Sequence, residues 1–294
     1  MKVLISLDGA PSSQNVLRAI GERPWLPQTE FNVISVVDPF VTAELPALVV
    51  DAENAAKAIV AKAAAELRER GLKVTTAVPQ GHPATTILQT ATETAADLLI
   101  VGSHGLSALP RFLLGTTALQ VVRAAPCAVE IVRCDKHRHG AGAVHALKIL
   151  LATDGGVCSL RAAASIAERP WPAGTEVRVI CVPEAVMPLL ENQISSAAAW
   201  EELLALRIAQ AQEAVDDTAA VFAGSKLAVH TEVPAPMWGP KAVILDQAEN
   251  WKVDLIVVGS HGRRGFDRFW MGSISEAVAL NAPCSVEVIR PAVQ

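Results

Sequence analysis

One pentapeptide, VGSHG, occurs at residues 101–105 and again at 258–262, 157 positions later. A longer stretch beginning at Lys2 also matches one beginning at Lys148, at an offset of 146, and both copies contain the tetrapeptide ERPW. Self-similarity of this kind is the signature of a duplicated unit. Because the offset grows from 146 to 157, the second copy has 11 additional residues in its middle. The 294-residue chain is therefore predicted to form two related domains, residues 1–134 and 147–294, joined by a polar linker at 135–146.

Each repeat alternates strand-like and helix-like patterns. Apolar runs such as LLIV and LIVV do not alternate with polar residues, which is typical of parallel strands buried on both faces. We therefore predict an α/β fold of two tandem open five-stranded parallel sheets flanked by helices, with ligands at the carboxyl ends of the strands. In the first repeat, strands are predicted at 3–7, 31–37, 72–78, 98–101 and 127–132, and helices at 12–21 (with Ser12 or Ser13 as N-cap), 52–70, 84–94 and 116–124.

Composition narrows the class of protein. Apolar residues make up 51% of the chain, yet no uninterrupted apolar run reaches the roughly 18–20 residues of a membrane span, and the start of the chain lacks a signal-peptide pattern. The net charge is −5, with no basic stripe for nucleic acid. Five cysteines without framework spacing indicate reduced thiols. A soluble, cytoplasmic protein that binds neither membranes nor nucleic acid is expected.

The repeated pentapeptide is the start of a longer pattern. It reads Gly102-x2-Gly105-x9-Gly115-Thr116 in the first copy, and the second copy has the same spacing from Gly259. Glycines let backbone approach a ligand closely, and the N–H groups that open a helix attract anions such as phosphate. A simpler interpretation stays open: the first glycines form a turn, and Ser273 with Glu276 forms a capping box.

With these motifs, the chain resembles a tandem member of the universal stress protein family. The resemblance covers both repeats and is carried by the G-x2-G-x9-G-[S/T] pattern, the Asp-Gly after the first strand and the Ala-Pro-Cys before the last. It implies a Rossmann-like fold of the adenine-nucleotide alpha-hydrolase kind and ATP, with Mg²⁺, at one or both rims. It also implies a role in the stress response, pairing of the two repeats through their last strands as an intrachain pseudo-dimer, and a further homodimer.

The resemblance also implies roles for residues at matching positions. Asp8 and Asp154 correspond to the aspartate facing the ribose and the nearby phosphate or metal, and Val36 and Val182 to the backbone position that contacts adenine. The loop and helix-start positions are Gly102, His104, Gly105, Gly115, Thr116 and Thr117 in the first repeat and Gly259, His261, Gly262, Gly272, Ser273, Ile274 and Ser275 in the second. The loop cations are Arg111 in the first repeat and Arg263 and Arg268 in the second.

The two copies are not equivalent. The second loop is rich in arginine, whereas apolar residues surround Arg111 in the first, and Ala118 and Leu119 stand where the second copy has Ser275 and Glu276. Because guanidinium groups bind phosphate well, the second site is expected to be the stronger.

Several alternatives stay open. The rim could support slow ATP hydrolysis, with His104 or His261 as the general base. A hydrogen-bonding role is favoured for these two histidines, and no catalytic residue is assigned. The loops could instead belong to an interaction module without nucleotide. Cys134, His137 and His139 are a poor metal set, so no metal site is assigned. The differing middle segments, 39–50 and 184–200, could cover the sites, form a dimer surface or add to the core.

Two further features of the last strands are expected to serve the fold rather than the ligand site. Glu130 and Glu287 are expected to protect exposed edge strands, because charge on an edge discourages unwanted pairing. Cys127 and Cys284 are expected to be buried and unreactive.

Overall fold

The computed structural model describes residues 1–42, 46–104, 114–133, 145–183, 197–235, 239–262 and 271–291. The first repeat contains β1 (Lys2–Ser6), α1 (Pro11–Gly21), β2 (Glu30–Ile34), α2 (Pro39–Thr42), α3 (Pro46–Glu69), β3 (Lys73–Ala77), α4 (Pro83–Glu93), β4 (Leu98–Gly102), α5 (Thr116–Ala124) and β5 (Ala128–Val132). The second contains β6 (Lys148–Ala152), α6 (Val157–Glu168), β7 (Glu176–Ile180), α7 (Ala197–Ala220), β8 (Ala228–Glu232), α8 (Pro240–Asn250), β9 (Leu255–Gly259), α9 (Ser273–Asn281) and β10 (Ser285–Ile289).

The strands form one ten-stranded sheet in the order β3-β2-β1-β4-β5-β10-β9-β6-β7-β8. Pairing is parallel within each repeat, which confirms the predicted α/β class, whereas β5 and β10 pair antiparallel at the centre. The last strands therefore join the two repeats, as the family resemblance implied. Two open sheets become one continuous sheet with an approximate twofold axis between β5 and β10.

The expectation that Glu130 and Glu287 protect edge strands was wrong. Their strands are the two central ones, and each carboxylate is only 1% exposed. Arg23 and Arg169 neutralise them in ion pairs of 2.8 and 3.0 Å, which is how such charges are tolerated in an interior. The true edges are β3 and β8, where most positions are exposed, among them Thr75 and His230.

The hydrophobic core is shared by the two repeats on one face of the sheet. There, α4, α5, α8 and α9 contribute to a single cluster that includes Leu4, Val121, Ile256 and Val278. The other face has two separate clusters, one under α1 and α3 and one under α6 and α7. Since each fully buried aliphatic side chain contributes roughly 1.5–3 kcal/mol, the shared cluster is a large part of what holds the repeats together.

Two buried arginines tie the repeats together across the twofold axis. Arg133 Nη2 donates to the carbonyls of Ala279 and Leu280 at the end of α9, at 2.6 and 3.0 Å. Arg290 Nη2 makes the equivalent bonds at the end of α5, at 2.6 Å each. Burial lowers the pKa of both guanidinium groups. Each cation therefore caps the negative end of a helix that belongs to the other repeat.

The side chains of the first middle segment favour a surface role over a core role. Phe40 is 85% exposed, Leu48 46% and Val50 57%, so these three do not contribute to the core. Most of the second middle segment, 184–196, lies outside the described residues. In the described ranges, no helix is long and apolar enough to cross a membrane.

Candidate functional site

An aspartate follows the first strand of each repeat and is held in the same way. Asp154 Oδ1 accepts hydrogen bonds from the Gly156 amide at 2.9 Å and from Ser159 Oγ at 2.8 Å. Asp8 Oδ1 accepts from the Ala10 amide at 2.9 Å and from Ser13 Oγ at 3.0 Å. One carboxylate oxygen in each repeat is thus fixed by the start of the following helix.

The N-cap predicted for α1 was therefore wrong. The helix begins at Pro11 with Ala10 as N-cap, because proline suits the first helical position, and Ser13 lies inside the helix. Its hydroxyl orients Asp8 instead of capping the helix. Ser159 does the same for Asp154, and the Asp-x4-Ser spacing common to both copies was the signal for this pair.

The first glycine of each loop permits close packing of strand against helix. A Cβ on Gly259 would lie 2.8 Å from Cys158 Cβ and 3.0 Å from the Ser159 amide nitrogen, and one on Gly102 would lie 2.8 Å from Ser12 Oγ. Any side chain here would push the strand end away from the helix that positions the aspartate. These glycines therefore bring the Asp-Gly turn and the loop together.

The histidine of each loop is oriented by the serine before it. Ser103 Oγ lies 2.9 Å from His104 Nδ1, and Ser260 Oγ lies 2.8 Å from His261 Nδ1. Both serines are buried, and their backbone amides donate to the last strand of their own repeat. The imidazole is thus tied to a rigid part of the sheet, which suits a residue that positions a ligand.

The second half of the pattern opens a helix directly above the loop. The Gly115 amide donates to the Ser103 carbonyl at 2.8 Å, and the Gly272 amide donates to the Ser260 carbonyl at 2.7 Å. Both glycines are N-caps with extended backbone and without a side-chain cap among the described residues. The first N–H groups of α5 and α9 are therefore available to an anion.

The alternative interpretation, a capping box formed by Ser273 and Glu276, is not what the structure has. Gly272 is the N-cap, and the Glu276 side chain pairs with Arg123 of the other repeat. Ser275 has a structural role at this point, since its hydroxyl donates to the Gly259 carbonyl at 2.6 Å. That bond ties the start of α9 to the end of β9, and Ala118 in the first repeat cannot make it.

In the second repeat these elements surround a cavity of about 400 Å³. Asp154 enters it with its second carboxylate oxygen 3.1 Å from where a Cβ on Gly262 would stand. The structure brings nine predicted residues to its wall: Asp154, Val182, Gly259, His261, Gly262, Gly272, Ser273, Ile274 and Ser275. Four polar residues there were not foreseen: Thr153, Ser159, Arg207 and Gln210. The predicted loop cations Arg263 and Arg268 lie outside the described residues.

The first repeat places its predicted residues at the same rim, with one difference. Asp8 follows β1, Val36 follows β2, Gly102 and His104 end β4, and Gly115, Thr116 and Thr117 begin α5. However, Ile59 of α3 lies over the Asp-Gly turn, with its Cδ1 2.7 Å from where a Cβ on Gly9 would stand. The space above the first turn is thus partly filled by an apolar side chain. Gly105 and Arg111 lie outside the described residues.

The described cysteine side chains are all in the reduced form. Among the described residues, none of Cys127, Cys158, Cys181 and Cys284 forms a disulfide bond. No group of three or more His, Cys, Asp or Glu side chains in the described ranges is arranged to hold a metal ion. Cys134, His137 and His139 lie outside those ranges.

The fold and the duplicated rim define a tandem Rossmann-like α/β protein, and sequence comparison supplies the family. The sequence model of the universal stress protein family matches residues 1–133 and 146–290. The chain belongs to this family.

Individual relatives agree with this assignment. A universal stress protein of Mycolicibacterium smegmatis is 29% identical over 308 residues, covering 98% of this chain and 97% of that protein. One of Methanocaldococcus jannaschii is 32% identical over 143 residues, covering 49% of this chain and 81% of that protein. The solved structure of a universal stress protein from Archaeoglobus fulgidus superposes with a TM-score of 0.66 at 21% identity and covers 98% of each chain.

Proposed function

We propose that the chain is a cytoplasmic stress-response regulator that binds adenine nucleotide, with the cavity of the second repeat as its principal site. The observation that carries the proposal is the convergence on one cavity of about 400 Å³ of an aspartate, a glycine loop and an uncapped helix start. Its volume falls within the roughly 300–1,000 Å³ of small-molecule sites. The binding of nucleotide would alter contacts with a partner and need not involve turnover.

The wall of the cavity combines apolar and polar groups. Val182, Ile244 and Val258 make one part of the wall apolar, which suits a purine base, and the backbone of Val182 offers it polar groups. Gly262, Gly272 and Ser273 supply backbone and hydroxyl donors elsewhere in the wall, which suits phosphates. This division of the wall supports a nucleotide over a purely apolar ligand.

The donor set also fits Mg²⁺ bound together with a nucleotide. Mg²⁺ in proteins is commonly held by one or two carboxylates plus substrate phosphates and water. Asp154 is a carboxylate that lines the cavity, and its Oδ1 accepts hydrogen bonds from Ser159 and Gly156. Asp154 would hold the ion, and the ion would neutralise phosphate charge when bound.

A direct test is to purify the full chain, denature it and analyse the supernatant for adenine nucleotide, with a thermal shift on adding Mg-ATP. We expect ATP at about one per chain, or a rise in Tm with Mg-ATP. Recovery of ADP, with phosphate released on incubation with ATP, would instead identify an ATPase. Absence of both nucleotide and thermal shift would contradict the proposal and leave an interaction module.

A further inference from the structure

Arg207 on α7 lines the second-repeat cavity with an unsatisfied guanidinium. Its Nε is buried and has no hydrogen-bond partner among the described residues, and Nη1 makes one long bond of 3.4 Å to Gln210 Oε1. No carboxylate of the described ranges forms an ion pair with it. A guanidinium presents five donors in a planar fork, and leaving a buried donor unpaired is costly. The arrangement is that of a cation lacking its anion.

The first repeat has no such cation at the corresponding place. The helices α3 and α7 can be aligned at an offset of 151 residues. The buried positions of α3 then fall on positions 207, 211, 214, 215 and 218 of α7; they are Ala56, Val60, Ala63, Ala64 and Leu67. Ala56 therefore corresponds to Arg207, and Ile59 corresponds to Gln210. Two polar side chains in the second repeat thus replace two apolar ones in the first.

Arg207 shares the cavity wall with the other polar groups of the site. Ile59 lies against the Gly9 turn in the first repeat, and its counterpart Gln210 lines the cavity together with Asp154 in the second. Asp154 Oδ2 in turn lies beside Gly262 of the glycine loop. Arg207 precedes Gln210 by three residues on α7 and lines the same cavity as Asp154, Gly262 and Ser273.

We propose that Arg207 binds a phosphate group of the ligand and makes the second repeat selective for phosphorylated adenine nucleotides over the nucleoside. The proposal rests on the proposed function, because it assigns the guanidinium to the nucleotide of that site. A guanidinium pairs with phosphate oxygens through charge-assisted hydrogen bonds, and a half-buried one is little screened by salt. The contact is absent from the first repeat, so the two rims differ in selectivity as well as affinity.

The test is equilibrium titration with adenosine, ADP and Mg-ATP in a Gly115→Val background, which suppresses binding at the first rim. Arg207→Gln removes the charge, Arg207→Lys keeps it, and Arg161→Gln removes an exposed charge from the neighbouring helix α6 as a matched control. We expect Arg207→Gln to weaken Mg-ATP binding about tenfold or more and adenosine binding less than about twofold. Arg207→Lys should recover part of the loss, and Arg161→Gln should bind as the parent does.

The outcomes separate the two proposals. If the parent binds Mg-ATP and Arg207→Gln binds it equally well, the role of Arg207 is wrong and the proposed function stands. An equal loss for adenosine and Mg-ATP would also overturn the role, because the contact would then not be to phosphate. If the parent binds none of the three ligands, the proposed function fails, and the role of Arg207 fails with it.

Discussion

Glu130 and Glu287 stand directly opposite each other in the antiparallel pair of β5 and β10, on the approximate twofold axis. Each is only 1% exposed. Arg23 Nη2 contacts both oxygens of Glu130 at 2.8 and 2.9 Å, and Arg169 makes two bonds of 3.0 Å to Glu287. The centre of the molecule is thus a buried cluster of four charges, supplied equally by the two repeats.

The repeated ERPW tetrapeptide supplies the two arginines of this cluster. Each guanidinium also lies over the tryptophan two residues later, with ring-centroid distances of 5.3 Å to Trp25 and 4.9 Å to Trp171. Each indole in turn donates to a helix carbonyl, of Ile20 and Ile166 respectively. The tetrapeptide is therefore a motif of the junction between repeats and not of the ligand rim.

Removing one cation should destabilise the junction strongly. Arg169→Met leaves Glu287 buried without its partner and is expected to lower the free energy of unfolding by about 3–5 kcal/mol in urea denaturation. The double variant Arg169→Met, Glu287→Leu removes both charges and should recover much of that loss. Arg161→Met, which changes an exposed arginine on the helix that ends just before Arg169, is the control and should change stability little. A single variant as stable as the control would contradict the account.

The same cluster gives stability a defined pH dependence. Burial, with Glu130 opposite, raises the pKa of Glu287 above its ordinary value of 4.5, although Arg169 opposes the shift. A carboxyl whose pKa is higher in the folded state stabilises the fold below 4.5, and this contribution is lost as the pH rises through the folded value.

Glu287→Gln, which resembles the protonated form, should remove this dependence. The stability of the wild type relative to Glu287→Gln should therefore fall as the pH is raised from 4.5, measured by urea unfolding at each pH. A relative stability that rises over the same interval would mean that Arg169 dominates and that the pKa is lowered.

The expectation of unreactive cysteines leads to a chemical prediction for Cys127. Burial is the main cause that raises the pKa of its thiol to about 11, with Asp97 adding to the shift and Arg290 opposing it. The thiolate is the reactive form, so alkylation at neutral pH should be slow and its rate should still be rising at pH 10. Mass spectrometry of iodoacetamide-labelled peptides from the native protein measures this rate. A rate that levels off near pH 8 would contradict the shift.

Where the repeats match, local pattern was enough to predict the architecture. Continuous apolar runs at 98–101 and 255–258 predicted parallel buried strands, and helix α5 has the predicted bounds, Thr116–Ala124. Glu130 was wrongly expected on an edge strand because a charged residue within an apolar strand gives the same sequence pattern in two cases. The strand can lie at the protected edge of a sheet, or it can be paired on both sides at the centre of the sheet. Only the partner, Arg23, distinguishes the two cases, and it is 107 residues away.

The parts of the site that escaped prediction lie where the repeats diverge. Arg207 and Gln210 lie on α7, where the offset between the repeats is 151 and matches neither the early offset of 146 nor the late one of 157, so no counterpart at a common offset pointed to them. Ser159 was missed for another reason. A serine near a helix start predicts a cap, and only the three-dimensional position of Asp154 reveals its bond to the carboxylate.

The claim that the second repeat is the principal nucleotide site is tested most directly by Mg-ATP titration of Gly272→Val and Gly115→Val. A Cβ on Gly272 would lie 3.3 Å from the Ser260 carbonyl oxygen, so a valine there would crowd the start of α9 and the phosphate end of the cavity. We predict that Gly272→Val loses about tenfold more affinity than Gly115→Val, since one blocked charge-assisted contact is worth about that factor. If Gly272→Val lost no more affinity than Gly115→Val, the ranking of the two sites would be wrong.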